Sequence, residues 1–600
     1  MKNKSHPFFA IFAATLMLGV ARASADPHLN SWLTTYSGRY ARIYTSDAAK
    51  ASGTSVTTWT NGSLEQSLPA YDGVQEVDYS ANWVYVRSTG LGSHVMGPWY
   101  LDAAHTQAFP NYPVNQQELF RIPRTPAVGA NTLNNGGAIG IFADGVAMFN
   151  SWDAFYWNGT EDTQGGGTGG YWNRDAYVNE GVTFDSANAH QPNSGQYHYH
   201  ANPPALRYFL GDHVNFDAAT DTYSEATNSP SHSPILGWVQ DGYPIYGPYG
   251  YSNPTNPASV VRRMISGYVP RNGLNGSDNL STNGAPRSTI PAWAQRLYNS
   301  GPDQSGPTVS SSYPFGRYME DNSYLGDLIS SATGHAWVQG TDFDLDEYNG
   351  RFCVTPDFPN GTYAYFVAIE SNGTPVFPYN IGRAFYGNPT GGSVTTIAET
   401  VTTNFQGGPN LSPALNPPAI NGNTVILTWS ATEGGTYQVQ STTNLVMWQT
   451  NTSGIASVLN TGASANTSTN SIRCYRIVRT ALAPYDPVTA SSSSSGSSGV
   501  TLSPSSGSPG ASFTFSATIG ADADPPPPPH DDAPIATFTV GSISVTGASY
   551  TYNSNDSGIL TGTLTIPANA TAGSATVTIT FSPPPGETQG PSYSATFTIN

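Results

Sequence analysis

The chain has 600 residues, only 10% of them charged, with 62 glycines, 47 prolines and 12% aromatics. That length implies several domains, and that aromatic content excludes a disordered chain. A net charge of −18 excludes nucleic acid and anionic membrane surfaces as partners, because phosphate neutralisation needs a basic face.

The first 25 residues carry Lys2 and Lys4, an apolar run from Pro7 to about Val20, and Ala23-Ser24-Ala25. This is the layout of a secretory signal peptide, and the apolar run is too short for a membrane span. No cysteine lies near the cleavage point, and no later segment is long and apolar enough to cross a bilayer. The expected location is secreted, periplasmic or cell-surface, with no membrane span.

Residues 26–392 hold nine of the eleven histidines and most of the aromatics. Helical signals are few: Pro291–Tyr298 predicts one short helix with its proline in the first turn. Two segments resemble each other. Ile139–Phe149 and Leu236–Tyr246 each place Asp-Gly, Asp144-Gly145 and Asp241-Gly242, between two apolar runs and four residues after a glycine. Asp-Gly there predicts two equivalent hairpins with type I′ turns. Turn chemistry accounts for both aspartates; the functional alternative turns one of them toward the histidines that lie between the hairpins.

Those histidines occupy Asp185–Pro204. In an extended strand, residues i and i+2 share a face, so His198 and His200 project side by side while Tyr197 and Tyr199 point the other way. His190 precedes a Pro-Asn-Ser-Gly turn that could fold it back beside the pair. Three neutral imidazoles suit copper or zinc better than calcium or magnesium. The candidate ligands are His190, His198 and His200, with Asp185 and Asp241 as supplementary carboxylates. A packed aromatic–imidazole surface, or metal-free acid–base work by His190 with Asp185 or Asp241, uses the same residues. His94 and His335 are the first additional ligands to consider.

Asp342, Asp344, Asp346 and Glu347, ending at Asn349-Gly350, form an acidic run that could wrap calcium, although it lacks a full EF-hand pattern. A solvated strand edge closing in an Asn-Gly turn explains it too. Cys353 and Cys474 fall in different predicted domains, so no disulfide is expected.

Past Gly392 the composition shifts to Thr, Ser, Asn and Val. Short alternating strands with Trp429 at a core position suggest a small sandwich over 412–488, similar to a fibronectin type III or related immunoglobulin-like module. Residues 489–499 are a Ser/Gly tether. Residues 500–600 alternate at period two and predict another immunoglobulin-like sandwich, with a rigid Pro525–Pro529 stub in a loop.

Tyr197-His198-Tyr199-His200 resembles the signature of the YHYH domain family of exported bacterial proteins. Phe142–Phe149, Trp172–Ala176, Ala189-His190, Asp241–Gly247, Asp346–Arg351 and Gly361–Tyr365 are similar to it in the same order, over about residues 85–390 and most strongly over 136–250. The resemblance implies no established activity. The expected fold is thus mostly β: a signal peptide (1–25), a β-rich YHYH-type domain with long loops (26–392, core 136–250), and two small sandwiches.

Three functions are open at this point. The first is an exported metal-binding protein. The second is an enzyme using that metal or His190, although no nucleophile elbow or metalloprotease helix is present. The third is an extracellular binding or surface protein without metal chemistry, whose C-terminal modules meet a polysaccharide or cell-surface partner.

Overall fold

The computed structural model describes residues 26–488 apart from 166–168, 422–423, 457–461 and 467–473, and beyond them the backbone of strands between 500 and 599. The expected signal peptide, Ser/Gly tether and polyproline stub lie outside the described residues. The chain is mostly β. It divides into two compact units, one running to Thr395 and including Val401–Val488, the other of Thr396–Thr400 with Thr489–Asn600.

An eight-stranded sheet carries the first unit. Its strands are β1 (Ala138–Phe142), β2 (Ala147–Phe149), β3 (Ala189–His190), β4 (His198–Tyr199), β5 (Ile235–Val239), β6 (Pro244–Tyr246), β7 (Gly350–Cys353) and β8 (Thr362–Phe366). They lie in the order β3-β4-β2-β1-β5-β6-β8-β7. Alternation along the strands sorts side chains onto two faces. Ile141, Trp238, Tyr246 and Phe366 pack with Val77, Val86, Phe120 and Ile122 of a neighbouring five-stranded sheet. Phe142, Met148, Tyr199, Ile245 and Tyr365 face a second core.

Both predicted hairpins are present, β1–β2 and β5–β6. Their turns differ from the expected type I′. Only the glycines have positive φ, Gly145 at 79° and Gly242 at 87°. Gly145 N–H donates to Phe142 O (2.8 Å), and Gly242 N–H donates to Val239 O (2.9 Å). This is a tight turn closed by a left-handed glycine, a three-residue loop that tolerates aspartate in right-handed backbone. A Cβ on Gly242 would lie 2.6 Å from the Pro123 carbonyl. Gly242→Ala is therefore expected to cost about 1–3 kcal/mol, read as a lowered urea midpoint; an unchanged midpoint would show that the loop relaxes freely.

The predicted helix forms over Ala292–Tyr298, with Pro291 as its N-cap. Trp429 is fully buried with Leu427, Tyr437 and Val439 in a cluster of its own. The 412–488 stretch is nonetheless tied to the rest of its unit. Glu433 accepts from Tyr40 N–H (2.9 Å) and pairs with Arg42 (2.5 Å), while Gln66 donates to Asp486 (2.7 Å). Cys353 is buried, Cys474 exposed, and both are free thiols. No helix among the described residues is long and apolar enough to cross a membrane.

Candidate metal centre

The short β3–β4 hairpin sets His190 directly opposite His198. Directly opposed side chains in an antiparallel pair are near neighbours, and His200 follows two residues on along the same face. One ligand atom from each of the three rings lies within 4.8 Å of the others, and all three residues are buried.

The outer nitrogen of each ring is fixed. His198 Nδ1 lies 2.8 Å from the Gln196 carbonyl, and His200 Nδ1 lies 2.7 Å from the Asn150 carbonyl. A carbonyl only accepts, so both Nδ1 atoms carry hydrogen. His190 Nδ1 is 2.7 Å from Thr183 Oγ1, whose own hydrogen goes to the Glu180 carbonyl (2.7 Å). That hydroxyl therefore accepts from His190. With its Nδ1 hydrogen directed outward, each ring turns its Nε2 inward, where a neutral ring offers a lone pair. His198 Nε2 and His200 Nε2 stand 3.0 Å apart.

A fourth acceptor joins them. Helix α1 (Ala176–Glu180), capped by the Asp175 carboxylate on Val178 N–H, ends at Glu180. Glu180 Oε2 lies 3.3 Å from His200 Nε2 and 3.6 Å from His190 Nε2. It is buried without another hydrogen-bond partner. Sequence reasoning missed Glu180 because a residue ten positions before His190, across a helix end, has no periodic relation to it. Thr183 and Asn150 escaped for the same reason.

Burial, reinforced by the neighbouring rings, pushes His198 well below the ordinary histidine range. Burial also lowers His190, to about 4, although Glu180 opposes it. His200 goes the other way: burial would lower it, but the Glu180 carboxylate raises it. The Glu180 carboxyl is in turn held below its usual range, since His200 and His190 outweigh its burial. Phe149 stacks on His198 (3.8 Å between centroids) and Phe184 meets His190 edge-on (4.8 Å), so apolar rings wall the cluster.

The two supplementary carboxylates lie elsewhere. Asp185 Oδ2 accepts from Tyr197 OH (2.7 Å) and Gly97 N–H (2.9 Å), beside His94, on the opposite face of β4. Asp241 accepts from Tyr365 OH (2.6 Å) and Gly387 N–H (2.8 Å), and burial pushes it up to about 6. Neither belongs to the converging group. Asp144 accepts from Tyr199 OH (3.1 Å), so both hairpin aspartates face tyrosines rather than histidines. His94 Nε2 is held at Tyr197 OH (2.9 Å), and His335 pairs with Asp342 at the surface (2.9 Å).

The acidic run does not form a calcium loop. Asp342 faces His335, Asp344 pairs with Arg262 (2.6 Å), and Asp346 accepts from Tyr363 OH (2.9 Å). The segment runs through turns and bends rather than an extended strand, so the i, i+2, i+4 spacing does not gather the carboxylates on one face.

The family model described as YHYH protein matches residues 119–377, which take in the whole eight-stranded sheet, Glu180 and the three histidines. No curated protein matches the chain.

Proposed function

We propose that this is an exported protein whose YHYH domain binds one zinc or copper ion through His190, His198 and His200, with Glu180 as the fourth ligand. One observation carries the reading. One ligand atom of each of the three histidines lies within 4.8 Å of the others, the Glu180 carboxylate stands beside two of them, at His200 and His190, and every Nδ1 hydrogen is already committed outward. A single proton on His200 Nε2 could satisfy only one facing acceptor. A divalent ion satisfies all four. Two nitrogens on one tetrahedral zinc, at 2.0–2.1 Å each, stand roughly 3.3 Å apart, close to the His198–His200 separation.

The carbonyls of Gln196 and Asn150 and the hydroxyl of Thr183 support this reading, since ligating histidines ordinarily donate their other N–H to such groups. When bound, the ion would supply a Lewis-acid or redox centre walled by Phe149 and Phe184. Glu180→Gln keeps the shape but removes the charge. It is expected to weaken zinc binding by at least about tenfold, measured by chelator competition; unchanged affinity would remove Glu180 from the ligand set.

The basic, apolar and small-x-small start of the sequence supports export. Strands Gly435–Thr442, Gln449–Ala456 and Cys474–Leu482 pair in one sheet, and Ala419–Asn421, Thr424–Thr428 and Gly462–Asn466 pair in another. This arrangement supports a fibronectin type III-like sandwich over 412–488. The four- and five-stranded sheets after Val500 support an immunoglobulin-like one. We assign them to polysaccharide or cell-surface contact; retention of the full chain on cell-wall polysaccharide, lost when residues 500–600 are removed, is the outcome this predicts.

A further inference from the structure

The histidine half of the sheet has a counterpart. Ile141 and Trp238 occupy equivalent places in the two hairpins, and they pair with each other across β1 and β5. Equivalent residues facing each other in an antiparallel pair mark a local twofold axis. Outward from it the strands repeat. Each hairpin is followed by a parallel neighbour, β4 beside β2 and β8 beside β6, and then by an antiparallel outer strand, β3 or β7.

The register and hydrogen bonds repeat as well. Tyr199 lies opposite Met148, and Tyr365 opposite Ile245. Tyr199 OH donates to Asp144 and Tyr365 OH to Asp241, in each case the hairpin aspartate. Tyr197 OH donates to Asp185 (2.7 Å) and Tyr363 OH to Asp346 (2.9 Å). Asp185 and Asp346 each begin an Asp-x-x-Asn turn whose asparagine is left-handed, Asn188 at φ 64° and Asn349 at φ 65°. Asp185 Oδ1 accepts from Ala187 and Ala189 N–H, and Asp346 Oδ1 from Tyr348 and Gly350 N–H.

We infer that β1–β4 and β5–β8 are two copies of one unit, and that the second is a metal-site scaffold whose ligand positions hold Arg351, Ala364 and Phe366 where the first holds His190, His198 and His200. The inference that these positions once or potentially bind metal rests on the function proposed above; the duplication does not. The pairing fixes the correspondence: His190 faces His198 across β3–β4, and Arg351 faces Ala364 across β7–β8. Phe366 pairs with Tyr246, the counterpart of Phe149. Packing fills the second position. Phe366 stacks on Tyr246 (5.7 Å between centroids), and the Arg351 guanidinium lies 5.4 Å from the Phe366 ring while donating to the Tyr251 carbonyl (2.6 Å). The native chain accordingly takes one ion, and the second half acts as the rigid partner of the first.

The triple variant Arg351→His/Ala364→His/Phe366→His of the full chain is titrated with zinc, beside the native protein. A folded triple variant is expected to bind two equivalents where the native chain binds one. A folded variant that still binds one overturns the latent-site inference. Because Phe366 lies in a core, a second comparison covers an unfolded outcome: Tyr199→Phe and Tyr365→Phe, each melted in chelator. Equivalent clamps give melting-temperature losses of the same sign, the larger at Tyr365, whose hydroxyl also accepts from Tyr386 N–H (2.8 Å). A loss in one and none in the other overturns the duplication. Losses at both together with no zinc on the native chain would refute the metal reading while leaving the duplication standing.

Discussion

The His198→Ala/His200→Ala variant is expected to lose its bound metal entirely while keeping its fold. The two rings supply two of the four inward acceptors, and their Nε2 atoms stand 3.0 Å apart. Structural zinc sites are worth about 10–16 kcal/mol over four ligands, roughly 2.5–4 kcal/mol each. Losing two ligands therefore lowers affinity by about four orders of magnitude or more. The fold survives because the tyrosines of the same strand, on the other face, keep their bonds to Asp185 and Asp144. His335→Gln is the matched control. His335 lies at the surface against Asp342, so its replacement leaves metal content unchanged. Equal metal in the double variant and the control would place the ion elsewhere.

The second large effect is on stability. Arg207 is wholly buried on the helix Pro204–Phe209 that follows the histidine segment. It donates to Asp212 (2.6 Å), to both oxygens of Glu225 (2.5 and 3.0 Å) and to Asn202 Oδ1 (3.1 Å). Asn202 O in turn accepts from Asn188 Nδ2 (2.8 Å), which ties the end of the β3–β4 hairpin to its start. Arg207→Met keeps the volume but leaves two buried carboxylates without their cation. Removing one partner of a buried ion pair costs about 3–5 kcal/mol, so the calorimetric Tm is expected to fall by several degrees. Losing the brace at Asn202 should also weaken zinc binding. A variant that melts with the native protein would show that water or other side chains compensate the carboxylates.

Much of this architecture is legible in the sequence, for a physical reason. Alternation at period two puts His198 and His200 on one face, and the Pro-Asn-Ser-Gly stretch is a turn. The triad thus follows from local rules. The two Asp-Gly hairpins are legible because glycine is the residue that closes such a turn cheaply. What escaped is non-local. Glu180 reaches the rings only because a one-turn helix ends beside them. Asp185 and Asp241 look like ligands in a list of carboxylates, yet Tyr197 and Tyr365 claim them across strands. The duplication was visible at the hairpins and hidden beyond them. Asp241 follows Asp144 by 97 residues, but Tyr365 follows Tyr199 by 166. Unequal loops break the period, and exchanging His198 and His200 for Ala364 and Phe366 erases the motif while the Tyr-x-Tyr clamp remains.

The three inward Nε2 atoms and the Glu180 carboxylate are expected to share one metal ion. Protein expressed without a polyhistidine tag, dialysed against trace zinc and copper and assayed by elemental mass spectrometry, tests it most directly. One equivalent of zinc or copper per native chain, and none in the His198→Ala/His200→Ala variant, is the predicted result. Near-zero metal in both would contradict it and leave the cluster as buried imidazole packing.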